Sequence, residues 1–140
     1  MKCVIDTNVI ISTLLFPGGT PAKAFAKALA KPNEIVICEY ILDEVVRSCR
    51  RKDLASEDEI RDIIQTIRAL ATVVRTPEDE LSVAREERVR DIKDRVIFRT
   101  AVIHNADCII SGDKDVLEAD FEGIFLLSPA EFLKMCHMIP

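Results

Sequence analysis

Short, almost wholly apolar runs alternate with stretches of helical periodicity from one end of the chain to the other, and no other feature restricts its fold so strongly. Lys2 to Ile5, Ile35 to Cys38, Cys108 to Ser111 and Ile124 to Leu127 are too short for core helices and show no polar face, as strands buried on both sides require. Thr72 to Val74 is a shorter run of the same kind. Helical segments fall between them. Val9 to Phe16 follows the polar Asp6-Thr7-Asn8, and Thr20 is expected to cap a helix with Pro21 at its first position, running to Ala30. Glu39 to Lys52 repeats Ile41, Val45 and Cys49 on one side, with Leu42 and Val46 beside them. Ser56 and Glu59 form a capping-box pattern ahead of the stripe Ile60, Ile63, Ile64, Ile67 and Leu70. Asp94 precedes a helical run with Val96, Ile97, Ala101 and Val102, Asp115 to Ala119 is expected to form a short helix, and Ser128 to Glu131 opens the last one with a second capping box. Such alternation predicts an α/β chain of three layers, αβα, with a central parallel sheet covered by helices on both faces.

The 140 residues, 49% apolar, suit one domain over 1–140, and no repeat, low-complexity segment or linker divides them. The most polar stretch, Thr76 to Arg90, is expected to be helical around Leu81 to Arg88. No apolar run approaches the ~20 residues that span a bilayer, and no leader pattern follows Met1, so a cytoplasmic protein with no membrane partner is expected. Five cysteines (Cys3, Cys38, Cys49, Cys108, Cys136) lack any C-x-x-C spacing and read as buried free thiols. A net charge of −5 argues against a protein that coats nucleic acid. It leaves room for a nucleic-acid enzyme, because Arg47, Arg50, Arg51 and Lys52 form one local basic group and Arg85, Arg88, Arg90, Arg95 and Arg99 another.

Four acids stand where strands should end or helices begin: Asp6, Glu44, Asp94 and Asp113. An α/β sheet gathers ligand-binding residues at the carboxyl ends of its strands, where Asp6 and Asp113 fall. Carboxylates held together repel unless a positive charge sits among them. Oxygen-only donors with open positions suit Mg²⁺ or Mn²⁺. Taken singly, each acid has a plainer reading: Asp6, Asp94 with Asp91, and Asp113 with Asp115 as helix caps, and Glu44 as an exposed helix residue.

Their order is more specific than any one of them. Val4-Ile5-Asp6-Thr7-Asn8-Val9, Glu44-Val45, Arg90-Asp91-Ile92-Lys93-Asp94 and Ala106 to Asp115 resemble, in sequence, the motifs of the PIN-domain family of metal-dependent nucleases. Within that family the chain resembles the small prokaryotic toxins of toxin and antitoxin pairs, and Leu126 to Leu133 resembles the family's close. Ile92 stands where Pro is common, Arg95 where an acid or small polar residue is frequent, and Ser111 where Thr is usual. None of these departures removes one of the four acids.

The resemblance implies a single PIN-like domain hydrolysing phosphodiester bonds of single-stranded RNA. It also implies an antitoxin partner and a homodimer, to which the apolar-rich Val9 to Phe16 and Ala22 to Ala30 would contribute surface. Asp6, Glu44, Asp94 and Asp113 are assigned to hold Mg²⁺ or Mn²⁺. Asn8, Thr7, Asp91, Asp115 and Arg95 are expected to support those ligands or to touch substrate, with Arg99 as a further contact. His104 and His137 lie outside the motifs, so no His-based nucleophile is expected. Two other classes fit the pattern: a non-catalytic nucleic-acid or protein binding module on the same fold, and a Mg²⁺-binding phospho-acceptor module. The second normally has paired acids after its first strand, where this chain has only Asp6.

Overall fold

A computed structural model describes residues 1–78, Val89 and residues 91–135. The helix expected around Leu81 to Arg88, together with Arg85, Arg88, Arg90, Cys136 and His137, lies outside the described residues. Among the described residues, five strands and seven helices follow one another as β1 (Lys2–Ile5), α1 (Thr7–Leu15), α2 (Thr20–Leu29), β2 (Glu34–Cys38), α3 (Glu39–Arg51), α4 (Glu57–Leu70), β3 (Thr72–Val74), α5 (Ile92–Ile103), β4 (Cys108–Ile110), α6 (Lys114–Leu117), β5 (Phe125–Leu127) and α7 (Pro129–Lys134). The strands form one parallel sheet in the order β3-β2-β1-β4-β5, flanked by helices as the αβα architecture requires.

The chain builds outward from β1 through β2 to β3, then returns by way of α5 to the other side of β1 for β4 and β5. The reversal opens a crevice beyond the carboxyl ends of β1 and β4, the topological switch point where such sheets take ligands. Cys3, Val4 and Ile5 of β1 and Cys108, Ile109 and Ile110 of β4 are at most 1% exposed. Cys3 pairs in register with Cys108, and Ile5 with Ile110. Phe98 of α5 meets Phe121 at 4.8 Å between ring centroids in a tilted arrangement. Cys3, Cys38, Cys49 and Cys108 are all free and buried, as the sequence predicted.

Local signals explain most boundaries. Both capping boxes form: the Ser56 hydroxyl accepts from Glu59 N at 3.2 Å and the Ser128 hydroxyl from Glu131 N at 3.1 Å, while each glutamate accepts from the cap's own N–H. Thr20 corrects one expectation. It lies inside α2 rather than capping it, because Gly19 takes the extended cap conformation and its carbonyl accepts the N–H of Lys23 at 3.1 Å. No single helix among the described residues is long and apolar enough to cross a membrane; α1 and α2 meet that test only as a pair bent by 114°, and they pack on each other.

Candidate functional site

The site starts from the two strand ends at the switch point. Asp6 N–H donates to the Ile110 carbonyl at 3.0 Å, which carries the β1–β4 ladder one residue past the strand. Asp6 is the N-cap of α1 by backbone conformation, yet its side chain makes no capping bond. Its Oδ2 instead accepts from the Ser111 hydroxyl at 2.7 Å and from Asn8 Nδ2 at 3.0 Å. Ser111 Oγ in turn accepts the Asp113 N–H at 3.0 Å, and Asn8 Oδ1 accepts the Gly112 N–H at 2.9 Å. These four bonds tie the turn after β1 to the turn after β4. They also account for Gly112, since a Cβ there would come within 3.3 Å of Asn8 Oδ1.

The other acids arrive on helices. Asp113 caps α6, accepting the Asp115 N–H at 2.9 Å. Glu44 sits half-buried at the edge of the apolar stripe of α3 and pairs with Arg47 one turn further on. Asp91 caps α5 through the Lys93 N–H at 3.0 Å, which leaves Asp94 as the third helical residue, not the cap. Asp94 is 8% exposed, and its Oδ2 is buried with no hydrogen-bond partner among the described residues. A buried, unpartnered carboxylate oxygen is costly, and such a group calls for an explanation.

All four acids line one cleft of about 340 Å³, together with Thr7, Asn8 and Asp91. Burial raises the pKa of Asp94 to about 7, reinforced by the charges of Asp6, Asp113, Asp91 and Asp115. Burial also pushes Asp6 up, against the opposing bond from Ser111, and Asp113 adds to the rise. This is the mutual repulsion that carboxylates show when gathered without a cation. Among the described residues no group of three or more His, Cys, Asp or Glu side chains is already drawn together at metal-ligating distance. The donor chemistry nonetheless fits a hard divalent cation: oxygens only, one of them orphaned, on groups that resist ionising together.

Some expectations do not reach the cleft. Asp115 lies on α6 beside its cap and does not line the cavity. Arg95 and Arg99, expected to meet substrate, are drawn elsewhere: Arg95 Nε donates to the Val89 carbonyl at 3.0 Å, and Arg99, 6% exposed, donates to the Pro77 carbonyl at 3.1 Å. Packing of α5 on the sheet turns both toward the segment before that helix. The cleft's cations are instead Lys52 and Lys93, and its aromatic residue is Tyr40. The spacing of Tyr40, Glu44, Ser48 and Lys52 at every fourth position carried the signal for two of these.

Ser111 gives a direct test of the scaffold. Ser111→Ala removes the donor to a buried carboxylate and leaves the Asp113 N–H unpaired, so a loss of about 2 kcal/mol is expected in urea unfolding. Ser111→Thr, which keeps the hydroxyl, should restore most of it. An unchanged midpoint in the alanine variant would mean that the four-bond tie holds nothing.

A family model described as PIN domain matches residues 2–115. An uncharacterized protein of Methanocaldococcus jannaschii, MJ1680, is 29% identical over 130 residues, covering 90% of this chain and 79% of that protein. Among solved structures, VapBC2 of Rickettsia felis bound to a promoter DNA fragment aligns at TM-score 0.68 and 12% identity, over 91% of this chain and 98% of its own. A toxin-antitoxin complex from Klebsiella pneumoniae aligns at TM-score 0.64 and 23% identity, over 91% and 97%. VapC20 of Mycobacterium tuberculosis, described as a Sarcin-Ricin loop cleaving toxin, aligns at TM-score 0.62 and 17% identity, over 88% and 98%. At these identities the three structures speak for the fold.

Proposed function

The chain belongs to the PIN-domain family, and we propose that it is a metal-dependent endoribonuclease acting on single-stranded RNA, the toxin of a toxin and antitoxin pair. One observation supports the chemistry most: four carboxylates from four separate segments of sequence share one cleft, and one buried oxygen among them has no partner among the described residues. The fold it shares with a structure described as a toxin-antitoxin complex, and with one described as a Sarcin-Ricin loop cleaving toxin, supports the partner and the substrate class.

In this reading Asp6, Glu44, Asp94 and Asp113 hold Mg²⁺ or Mn²⁺, directly or through water. When bound, a divalent ion supplies charge neutralisation at the phosphate and a water of lowered pKa. The chain's own groups fix where this happens. Asn8 and Ser111 both donate to Asp6 Oδ2, which holds that carboxylate in one orientation at the cleft. Asp94, on the first turn of α5, gains from the helix dipole when ionised, which offsets part of its burial. Glu44 holds Arg47 through Oε1 alone, which leaves Oε2 for a further ligand. Thr7 and Asp91 line the cleft beside the four acids, and the Asp91 carbonyl accepts the Asp94 N–H at 3.0 Å. The protein is proposed to act in the cytoplasm as one domain over 1–140, and as a homodimer. The surface offered for the dimer is the corner after α1, where Phe16 is 65% exposed, since Ala22, Ala24 and Ala28 of α2 are already buried.

The deciding experiment is cleavage of a labelled single-stranded RNA with Mg²⁺ or Mn²⁺ present and then chelated. Cleavage should depend on the ion and stop in EDTA. Undiminished cleavage in EDTA would sink the metal mechanism, and a protein that cuts DNA but not RNA would sink the substrate assignment.

A further inference from the structure

Beyond the four carboxylates the cleft continues as a groove between α1 and α3, and along it the charge changes sign. Glu44, Ser48 and Lys52 face it from α3, four residues apart and so on one side of the helix. Ile11 and Leu15 form the opposite wall from α1, with Leu15 44% exposed. Acids Glu39, Asp43 and Glu44 occupy the first half of α3, and Arg47, Arg50, Arg51 and Lys52 crowd its end. Three of these cations are already engaged: Arg47 with Glu44, Arg50 with Glu57, and Arg51 with the Ser48 hydroxyl at 3.4 Å. Lys52 is the member of that group that lines the groove, and its ammonium forms no ion pair with a described residue. Lys93 marks the other end, next to Asp94.

We infer that this groove is the track of the substrate strand: single-stranded RNA runs from the carboxylates along α3, its bases against Ile11 and Leu15, to a phosphate held by Lys52. The helix rise sets Lys52 about 12 Å beyond Glu44. That is about three to four nucleotides of a stacked strand at ~3.4 Å each. A polyanion matches the order of charges, because the acid end would be met through cations and the far end offers an ammonium with no ion pair among the described residues. An apolar peptide would use the Leu15 wall but would leave Lys52 without a purpose. Lys52 is therefore a positioning residue, acting on binding several nucleotides from the reaction, and the inference rests on the ribonuclease reading above.

Steady-state cleavage of an eight-nucleotide single-stranded RNA across a range of salt tests it. Lys52→Gln should raise KM about tenfold, the loss of one charge-assisted contact, with a much smaller effect on kcat. It should also reduce the slope of log affinity against log salt by ~0.7, the value for one phosphate on a single strand. Lys52→Arg should restore both. Leu15→Glu, at an exposed position, should raise KM by at least as much by placing a negative charge in the groove. Lys23→Gln, on α2 outside the cleft, should match the parent protein. Parent-like KM and salt slope in both Lys52→Gln and Leu15→Glu, with the parent protein cleaving normally, would overturn the track and leave the nuclease standing. A parent protein that cleaves no single-stranded RNA would overturn both. If Leu15→Glu converted a dimer to a monomer with KM unchanged, the wall would belong to an interface between copies and the track would fall.

Discussion

Asp6→Asn is expected to reduce RNA cleavage by at least ~10²–10³-fold, the scale on which removing one electrostatic contact from a reacting centre acts. The substitution keeps the shape of the side chain and an oxygen for the Ser111 hydroxyl, so the tie between the ends of β1 and β4 survives. What disappears is the charge. Burial and Asp113 already make that charge expensive in the absence of a cation, raising the pKa of the folded carboxyl. The metal-free Asn variant should therefore melt at or above the temperature of the parent protein while being inactive, a combination that misfolding cannot produce. Asp113→Asn should behave in the same way, though it is less buried and its cap to Asp115 weakens. Full activity in both variants would remove these residues from the site.

How much of this could be read before the structure depends on the scale of the signal. The strands were legible because Cys3 to Ile5 and Cys108 to Ile110 are apolar on both faces, and only the centre of a parallel sheet has use for such runs. The acids were legible because a charge directly after a buried strand needs a reason, and their order along the chain gave one. Side-chain direction was not. Arg95 and Arg99 follow Asp94 within two turns, so proximity in sequence suggested a phosphate contact; their guanidinium groups donate to the Val89 and Pro77 carbonyls instead. Lys52 was visible only as part of a basic run, and it took the helix period to separate it from Arg50 and Arg51. Ser111 stands where Thr is usual and either residue supplies a hydroxyl, but that this hydroxyl joins Asp6 to the Asp113 backbone was not legible.

Asp94 carries the largest expected effect of pH and of metal. Burial raises its pKa in the folded chain to about 7, from an ordinary aspartate value of about 3.9, so between roughly pH 4 and pH 7 the folded state holds a proton that the unfolded state has lost. Metal-free stability should accordingly fall as pH rises through that window, by at most about 4 kcal/mol for a shift of this size. The metal-free Asp94→Asn variant, with nothing to ionise there, should lose most of that slope. A bound divalent ion reverses the energetics, because it needs the carboxylate form and makes the buried charge favourable. At pH 8, Mn²⁺ at a hundred times its dissociation constant should add about 2.7 kcal/mol, a rise of roughly 10 °C in melting temperature. At pH 5.5 the gain should shrink, since each ion must displace a proton, and in Asp94→Asn it should be small at both values. Identical melting temperatures at pH 8 with and without saturating Mn²⁺ would contradict a site in which Asp94 supplies its unpartnered oxygen to a metal. A metal gain equally large in the Asn variant would place the ion on the other carboxylates and leave that oxygen unexplained.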